Sequence, residues 1–174
     1  MPCAISEFSP WIRLVRGDDR GYVVETEEVF DSPRERVRAH LLRYLATDGE
    51  EGFIWNGVPT LLLTTRGRRS RCLRRTALIF GRHGDEYLVV GSRGGAPKHP
   101  LWVENLLVDP RVIVQIKGSV FSATARLATA SERPGFWQTM TEIWPAYDEY
   151  QEKTEREIPV IVISVTHDET RSLN

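Results

Sequence analysis

The chain has 174 residues, a length that fits one domain with its own hydrophobic core. Its hydrophobic fraction of 41% and charged fraction of 27% are ordinary for a globular protein, and no run of about 18 apolar residues predicts a transmembrane helix. The N-terminal residues lack a basic start followed by an apolar run, so a cytoplasmic location is expected.

The first elements in chain order are an arm and a helix. Residues 1–31 have weak hydrophobic periodicity and are expected to form an N-terminal arm, irregular and only partly ordered, ahead of a single domain at 32–174. The segment from Ser32 to Glu35 has the pattern of a capping box with proline at the first helical position. Apolar residues at helical spacing then predict a helix over about 33–46.

Strands dominate the rest of the chain. Short segments rich in aliphatic residues predict six of them, at 60–65, 75–81, 86–92, 111–118, 119–127 and 158–165. Helices are expected at about 99–107 and from a capping box at Thr129 and Glu132 towards Trp144. Six strands with short connections favour an antiparallel barrel, a mainly β (α+β) fold, over a doubly wound sheet.

One short segment carries a concentration of positive charge. Six of the ten residues from 66 to 75 are arginine, although the net charge of the whole chain is -1. The guanidinium group is a planar, permanently charged fork that suits phosphate and carboxylate oxygens. The segment therefore predicts an anion-binding loop, and from composition alone a solvated basic loop is an equal alternative.

Several catalytic signatures are absent from the sequence. It has no dinucleotide-binding glycine fingerprint, no P-loop, no zinc-protease helix motif and no nucleophile elbow. The four histidines are scattered without metal-ligand spacing, so no metal site is expected. Any chemistry is therefore expected to come from a bound organic cofactor.

Three blocks of the sequence resemble the deazaflavin-dependent nitroreductase family, whose members use coenzyme F-420 to reduce quinones and nitro compounds. The blocks are 57–80 with GRRS, 89–116 with SRGGAPKHPLW, and 132–163 with IWPAYDEY, and the likeness covers about 48–165. The resemblance implies a split β-barrel of the FMN-binding, flavin-reductase-like type with an N-terminal helix and flanking helices. It also implies an oxidoreductase that passes hydride from reduced F-420 to a quinone, nitro compound or enone.

The resemblance also implies which residues form the site. Arg68, Arg69, Ser70 and Arg74 fall where the phosphate and the anionic tail of the cofactor are held. Further cofactor contacts are implied for Arg75, Thr76, Ala77, Leu78, Ile79, Val90, Gly91, Ser92, Arg93, Trp102, Val103, Glu104, Asn105 and Tyr147. Ser92 and Tyr147 are implied as the hydrogen-bond donors of the reaction. Trp144, Tyr147 and Tyr150 are implied as the acceptor site, with hydrophobic packing as the alternative role.

The sequence departs from the family pattern at three positions. Arg71 replaces the glycine that usually follows the motif serine, and arginine resists the positive φ angle that glycine allows. Val103 stands where an aromatic residue commonly follows the motif tryptophan, and Trp144 stands where tyrosine is frequent. The last two changes predict a reshaped acceptor pocket.

Three other functions stay open at the level of sequence. An FMN-dependent split-barrel reductase or oxidase would keep the fold, but six arginines exceed the needs of a single phosphate. A protein that binds F-420 without turnover is supported in the sequence only by the loss of the motif glycine at Arg71. A nucleic-acid-binding module is disfavoured because the aromatic residues are not interleaved with the arginines. Sheet-mediated homodimers are common in split barrels, so a homodimer is left open.

Overall fold

A computed structural model describes residues 12–16 and 22–165. The predicted arm therefore lies partly outside the described residues, as do positions 166–174 of the predicted domain. Strands β1 (Ile12–Arg16) and β2 (Tyr22–Thr26) pair as an antiparallel hairpin. Regular pairing thus occurs where the weak periodicity predicted none. No helix in the described ranges is long and apolar enough to cross a membrane.

Six antiparallel strands close into a barrel, which confirms the predicted fold class. They are β5 (Val58–Arg66), β6 (Leu73–His83), β7 (Glu86–Val90), β8 (Arg111–Ile116), β9 (Ser119–Leu127) and β10 (Val160–Val165). Around the barrel the order is β5, β6, β7, β10, β9 and β8, which returns to β5. Two short strands extend this sheet: β3 (Val29–Asp31) runs parallel to the start of β6, and β4 (Ile54–Trp55) pairs with β5.

Aliphatic side chains from every barrel strand fill the interior. Leu61, Leu63, Val114, Ile161 and Ile163 are each 0% exposed and belong to one cluster. Burying one such side chain stabilises a fold by roughly 1.5–3 kcal/mol relative to leaving it in water. The barrel is therefore the rigid frame on which the connecting loops are carried.

Among the residues that the structure describes, four α-helices flank the barrel. They are α1 (Glu35–Ala46), α2 (Leu101–Leu106), α3 (Arg133–Ile143) and α4 (Ala146–Glu152). The predicted capping box before α3 is present, because Thr129 N–H donates to Glu132 Oε2 at 2.8 Å and Glu132 N–H donates to Thr129 Oγ1 at 3.3 Å. The capping box predicted before α1 is wrong. Helix α1 has Arg34 as its N-cap, and Ser32 Oγ accepts only the N–H of Arg34, at 3.5 Å.

Candidate functional site

The arginine-rich loop, residues 67–72, forms a closed turn between β5 and β6. Gly67 N–H donates to the Cys72 carbonyl and Arg71 N–H donates to the Gly67 carbonyl, both at 2.8 Å. A Cβ on Gly67 would lie 2.7 Å from Ser70 Oγ and 3.1 Å from the Cys72 carbonyl oxygen, so a side chain there would require Ser70 to change its rotamer. Arg71 adopts a φ of +61°. The chain thus makes a left-handed turn at the position where arginine replaces the family's glycine.

The arginines between 66 and 75 divide into paired and solvent-facing groups. Arg66 pairs with Glu27 at 2.8 Å, Arg68 pairs with Glu104, and the largely buried Arg75 pairs with Asp31 at 2.7 Å. Three others remain exposed, namely Arg69, Arg71 and Arg74. Within residues 27–165, Arg69 and Arg71 form no ion pair, whereas Arg74 lies over the ring of Phe30 and donates to Ser70 Oγ at 3.5 Å.

Asn105 fastens this loop to helix α2. Its Oδ1 accepts the backbone N–H of Arg68 at 3.1 Å, and its Nδ2 donates to Thr65 Oγ1 at 3.1 Å. The Arg68–Glu104 ion pair joins the same two segments. The structure therefore brings together two sequence blocks that lie about 37 residues apart in the chain.

The edge of strand β6 carries a gap in its pairing. Strand β3 pairs with residues 73–75 and β7 pairs with residues 80–83, and both lie on the edge opposite β5. Residues 76–79 have no strand partner on that edge among the described residues. The ladder between β6 and β7 ends at the pair Phe80 and Val89, and continuing its register would set Ile79 opposite Val90.

Strand β7 leaves β6 at this point and leads into a tight turn. Ser92 has right-handed helical angles (φ -73°, ψ -46°), whereas Arg93, Gly94 and Gly95 have φ angles of +51°, +66° and +81°. Successive residues of these two conformations form a concave nest of backbone N–H groups that suits an anionic oxygen. In the described part of the chain, the N–H groups of Ser92, Arg93 and Gly94 make no hydrogen bond. The turn therefore offers donors beside the gap.

Two glycines of this region have no room for a side chain. A Cβ on Gly91 would lie 2.9 Å from both Pro159 and Val103, and a Cβ on Gly95 would lie 2.6 Å from the Tyr150 carbonyl. Helix α4 consequently packs directly on the turn. This contact connects the predicted acceptor segment to the predicted cofactor segment.

The remaining residues predicted on α2 have buried side chains. Trp102 is 9% exposed and Val103 is 1% exposed, and both belong to the barrel core. Their side chains pack between the helix and the barrel, which leaves Glu104 and Asn105 as the polar side chains that α2 presents to the loop.

The three predicted acceptor-site aromatics lie in a second hydrophobic cluster, formed by α3, α4 and the outer surface of the barrel. Tyr147 is 5% exposed and lies 6.2 Å, between ring centroids, from Tyr150 and 6.3 Å from Trp137. Its phenol makes no hydrogen bond in the described part of the chain. Burial raises the pKa of this phenol well above its ordinary value of 10.0. The hydroxyl therefore remains protonated and able to donate at physiological pH.

Arg156 is a polar residue of this region that sequence reasoning missed. Its guanidinium donates to the carbonyls of Gly91, Ser92 and Ala96 and contacts the ring of His99. Its partners lie 57 to 65 residues away in the chain, and no sequence motif marks that relationship.

A cavity of about 360 Å³ lies elsewhere, between α1 and the segment at 51–55. Arg36, His40 and Trp55 are among its lining residues, and the ring of His40 stacks on that of Trp55 at 4.8 Å. None of the predicted site residues lines this cavity. In the ranges that the structure describes, no group of three or more His, Cys, Asp or Glu side chains is placed to hold a metal ion.

Comparison with known proteins matches this chain to one family. The model of the F420H(2)-dependent quinone reductase family matches residues 36–165. An F420H(2)-dependent quinone reductase of Mycobacterium tuberculosis is 36% identical over 133 residues, which are 74% of this chain and 89% of that protein. A second protein of that name and species is 33% identical over 106 residues, 61% of this chain and 89% of that protein.

Two solved structures share both fold and sequence with the chain. One, described as a domain-swapped dimer, is 37% identical with a TM-score of 0.60, and the match covers 76% of this chain and all of that one. The other, an F420-H2 dependent reductase (FDR-A), is 39% identical with a TM-score of 0.57, and the match covers 61% of this chain and 94% of that one.

Proposed function

The chain belongs to the F420H(2)-dependent quinone reductase family, and we propose that it is an oxidoreductase that uses reduced coenzyme F-420 to pass hydride to a small acceptor such as a quinone. Nitro compounds and enones belong to the same class of acceptor, because each has an electron-poor π-system and an oxygen that gains negative charge on reduction.

One structural observation carries this proposal. Pairing between β6 and β7 ends at Phe80 and Val89, and the segments that border this gap in the pairing are residues 76–79 of β6 and residues 90–92. These are two of the segments that the sequence predicts as cofactor contacts. The arginine-rich loop lies at the start of the same strand β6, and Asn105 holds it against α2.

The residues at this gap fit the chemistry of F-420. The unpaired edge at 76–79 supplies backbone donors and acceptors for the polar edge of a planar ring, and the turn at 92–95 supplies N–H donors. Arg69, Arg71 and Arg74 are exposed and suit the phosphodiester and glutamate carboxylates of the tail. A cofactor contact by Arg75 remains a prediction, since Asp31 holds its guanidinium.

The side chains of the site are proposed to bind the acceptor and to stabilise the negative charge that it gains. The reduced deazaflavin, when bound, supplies the hydride, which carries two electrons. Ser92, the N–H groups that follow it and the phenol of Tyr147 are the proposed donors to the acceptor oxygen that gains negative charge. Trp144, Tyr147 and Tyr150 are proposed to orient the acceptor and to exclude water, and Tyr147 also to contact the cofactor.

The oligomeric state, the location and the domain division are also proposals. A homodimer is proposed because one structural relative is described as a domain-swapped dimer. The cytoplasmic location and the division into an arm at 1–31 and a domain at 32–174 remain proposals from the sequence.

Titration of the purified protein with F-420 and, separately, with FMN tests the cofactor, and oxidation of reduced F-420 by a quinone tests the activity. We expect tighter binding of F-420, an affinity that falls as salt rises, and loss of the reduced cofactor's signal on addition of the quinone. Equal affinity for FMN together with activity of reduced FMN would replace the proposal with an FMN-dependent reductase. F-420 binding without turnover of any acceptor class would leave a cofactor carrier.

A further inference from the structure

Arg156 satisfies backbone carbonyls on both sides of the turn at 92–95. Its Nε donates to the Ala96 carbonyl at 2.8 Å, and its Nη2 donates to the carbonyls of Ser92 at 2.7 Å and Gly91 at 3.2 Å. A guanidinium has donors in a fixed planar fork, so three carbonyls held by one group are fixed relative to one another. A single side chain, that of Arg156, thus holds the carbonyl groups that flank the turn.

The backbone of this turn is strained, so contacts from outside the turn are needed to hold its conformation. Arg93 has a φ of +51°, a left-handed conformation that is strained for a residue with a Cβ. Inside the turn, Gly95 N–H donates to the Ser92 carbonyl at 3.1 Å and Ala96 N–H donates to the Arg93 carbonyl at 3.4 Å. The Ser92 carbonyl thus accepts both the Gly95 N–H and, at the shorter distance of 2.7 Å, Arg156 Nη2, whereas the Ala96 carbonyl accepts Arg156 Nε.

The same guanidinium selects the tautomer of His99. Arg156 Nη1 lies 3.1 Å from His99 Nδ1. Because a guanidinium only donates, Nδ1 accepts and the ring proton lies on Nε2. Burial, and then the charge of Arg156, lower the pKa of His99 from its ordinary value, which favours the neutral ring. Within the described ranges His99 Nε2–H has no hydrogen-bond partner.

We infer that Arg156 is a positioning residue of the proposed F-420 site. It holds the carbonyls of Gly91, Ser92 and Ala96, which leaves the N–H nest of Ser92, Arg93 and Gly94 formed and directed to a ligand. It also fixes His99 as an Nε2–H donor between that turn and α2. The assignment rests on the proposed function for the identity of the ligand, whereas the hold on the turn exists in the free protein.

Arg133 offers a matched control. Its guanidinium also donates to a backbone carbonyl, that of Ile158, at 3.0 and 3.3 Å, and it is likewise half-buried. Within residues 27–165 it forms no hydrogen bond or ion pair with the turn, with His99 or with the arginine-rich loop. Replacing Arg133 with Gln therefore removes a comparable carbonyl contact, and the other contacts of this guanidinium, with Trp137, Gln151 and Glu157, lie outside the turn at 92–95.

The first measurement uses the free protein. We expect Arg156→Gln to speed amide hydrogen exchange at Gly95 and Ala96 by about tenfold or more over Arg133→Gln, and to mix the His99 tautomers in ¹⁵N NMR spectra. Arg156→Lys should give an intermediate result, since an ammonium group cannot hold three carbonyls in a plane. Parent-like exchange and an unchanged His99 spectrum in Arg156→Gln would overturn the inference.

The second measurement is titration with F-420 at fixed salt. Arg156→Gln should raise the Kd about tenfold or more, Arg156→Lys should fall between it and the parent, and Arg133→Gln should stay within about twofold of the parent. Equal weakening in Arg156→Gln and Arg133→Gln would reduce Arg156 to a general structural role and so overturn the inference. If the parent itself fails to bind F-420, the proposed function fails, and the exchange and tautomer measurements still decide whether Arg156 holds the turn.

Discussion

Asn105 accepts the backbone N–H of Arg68 at 3.1 Å, so a buried amide on helix α2 determines where the arginine-rich loop lies. The other end of that amide donates to Thr65 Oγ1, also at 3.1 Å, and the side chain is 4% exposed. The two motif blocks of the candidate site therefore share one buried hydrogen-bonding group.

Replacing Asn105 with Ala should destabilise the protein and weaken F-420 binding together. The change leaves the N–H of Arg68 and the hydroxyl of Thr65 without their partner, which should lower the free energy of unfolding by about 1–3 kcal/mol. Urea unfolding and F-420 titration measure the two effects. Gln138→Ala, at an exposed position of α3, is the control, and its free energy of unfolding should stay within about 0.5 kcal/mol of the parent's. If Asn105→Ala is less stable but binds F-420 with the parent's affinity, the position of the arginine-rich loop does not determine cofactor binding.

Arg71 allows a direct test of backbone strain. Arg71→Gly and Arg71→Ala remove the same charge, but only glycine adopts a φ of +61° without steric cost. We expect the Gly variant to be more stable than the Ala variant by about 0.5–1 kcal/mol, the left-handed penalty less the extra entropy of glycine in the unfolded chain. Thermal unfolding of the two variants is the measurement. An Ala variant as stable as the Gly variant would mean that the loop relaxes away from the left-handed turn.

Removal of Arg68 and Arg69 together should weaken F-420 binding and leave the fold intact. Each lost charge-assisted hydrogen bond should cost roughly 1.5–3 kcal/mol of binding free energy, and less where water reaches the site. Arg69 is exposed, whereas Arg68 pairs with Glu104. Replacing Arg69 alone with Ala should therefore reduce the salt dependence of F-420 binding and change the free energy of unfolding little. Arg38→Ala, on the exposed face of α1, is the charge-matched control for Arg69→Ala. A double variant that titrates like the parent would identify the loop as a solvated surface.

Tyr44 and Tyr147 are both buried, and the stability of the protein should respond differently to loss of each hydroxyl. Tyr44 OH donates to the Thr60 carbonyl at 3.2 Å and accepts the Lys117 N–H at 2.7 Å, so Tyr44→Phe should cost about 1–3 kcal/mol of stability. Tyr147 makes no such bond in the described part of the chain, so Tyr147→Phe should be neutral or slightly stabilising. Urea unfolding of both variants gives the comparison.

This difference makes Tyr147→Phe a clean probe of the reaction. If the phenol donates to the acceptor, turnover should fall by a larger factor than F-420 affinity, while the free energy of unfolding is unchanged. Parent-like turnover with a quinone, a nitro compound and an enone would remove Tyr147 from the proposed donors. Trp144→Ala should change the relative rates of small and bulky acceptors instead, because it opens volume in the same cluster.

Glu132 should make stability depend on pH in the acidic range. Its pKa is lowered from 4.5 to about 2, first by the hydrogen bonds from Arg126 and then by the Thr129 N–H. Because the folded pKa lies below the unfolded value, this stabilisation is present above pH 4.5 and is lost as the pH falls towards 2. Glu132→Gln should therefore flatten the pH dependence of unfolding over that range. Glu142→Gln on the same helix should retain the parent's slope, and a parent-like slope in Glu132→Gln would contradict the assignment.

Local patterns predicted the barrel because its strands are joined by short turns. The two-residue turn at 84–85 and the turn near Lys117 connect neighbouring strands, so sequence order and spatial order agree there. The capping box at Thr129 and Glu132 also forms from residues close in sequence. The similar pattern at Ser32 fails because the helix begins two residues later than the pattern requires: Arg34 is the N-cap, so Glu35 stands at N1 and not at N3.

Tertiary contacts explain what the sequence did not predict. Strand β3 has only three residues and pairs in parallel with β6, which lies more than 40 residues further along the chain. Three residues are too few for a periodicity to be recognised. The role of Arg156 depends on carbonyls, which every residue possesses, and so no residue type reveals its partners.

The left-handed conformation of Arg71 has a consequence for how such loops are recognised in genomes. A sequence pattern that requires glycine after the motif serine would reject this chain, although its backbone adopts the angle for which glycine is ordinarily used. The Arg71 carbonyl accepts a hydrogen bond from Arg66 Nη1 at 2.9 Å, which helps to hold that angle without glycine. A search profile that accepts either glycine, or a larger residue together with arginine five positions earlier, would retrieve loops of this second kind.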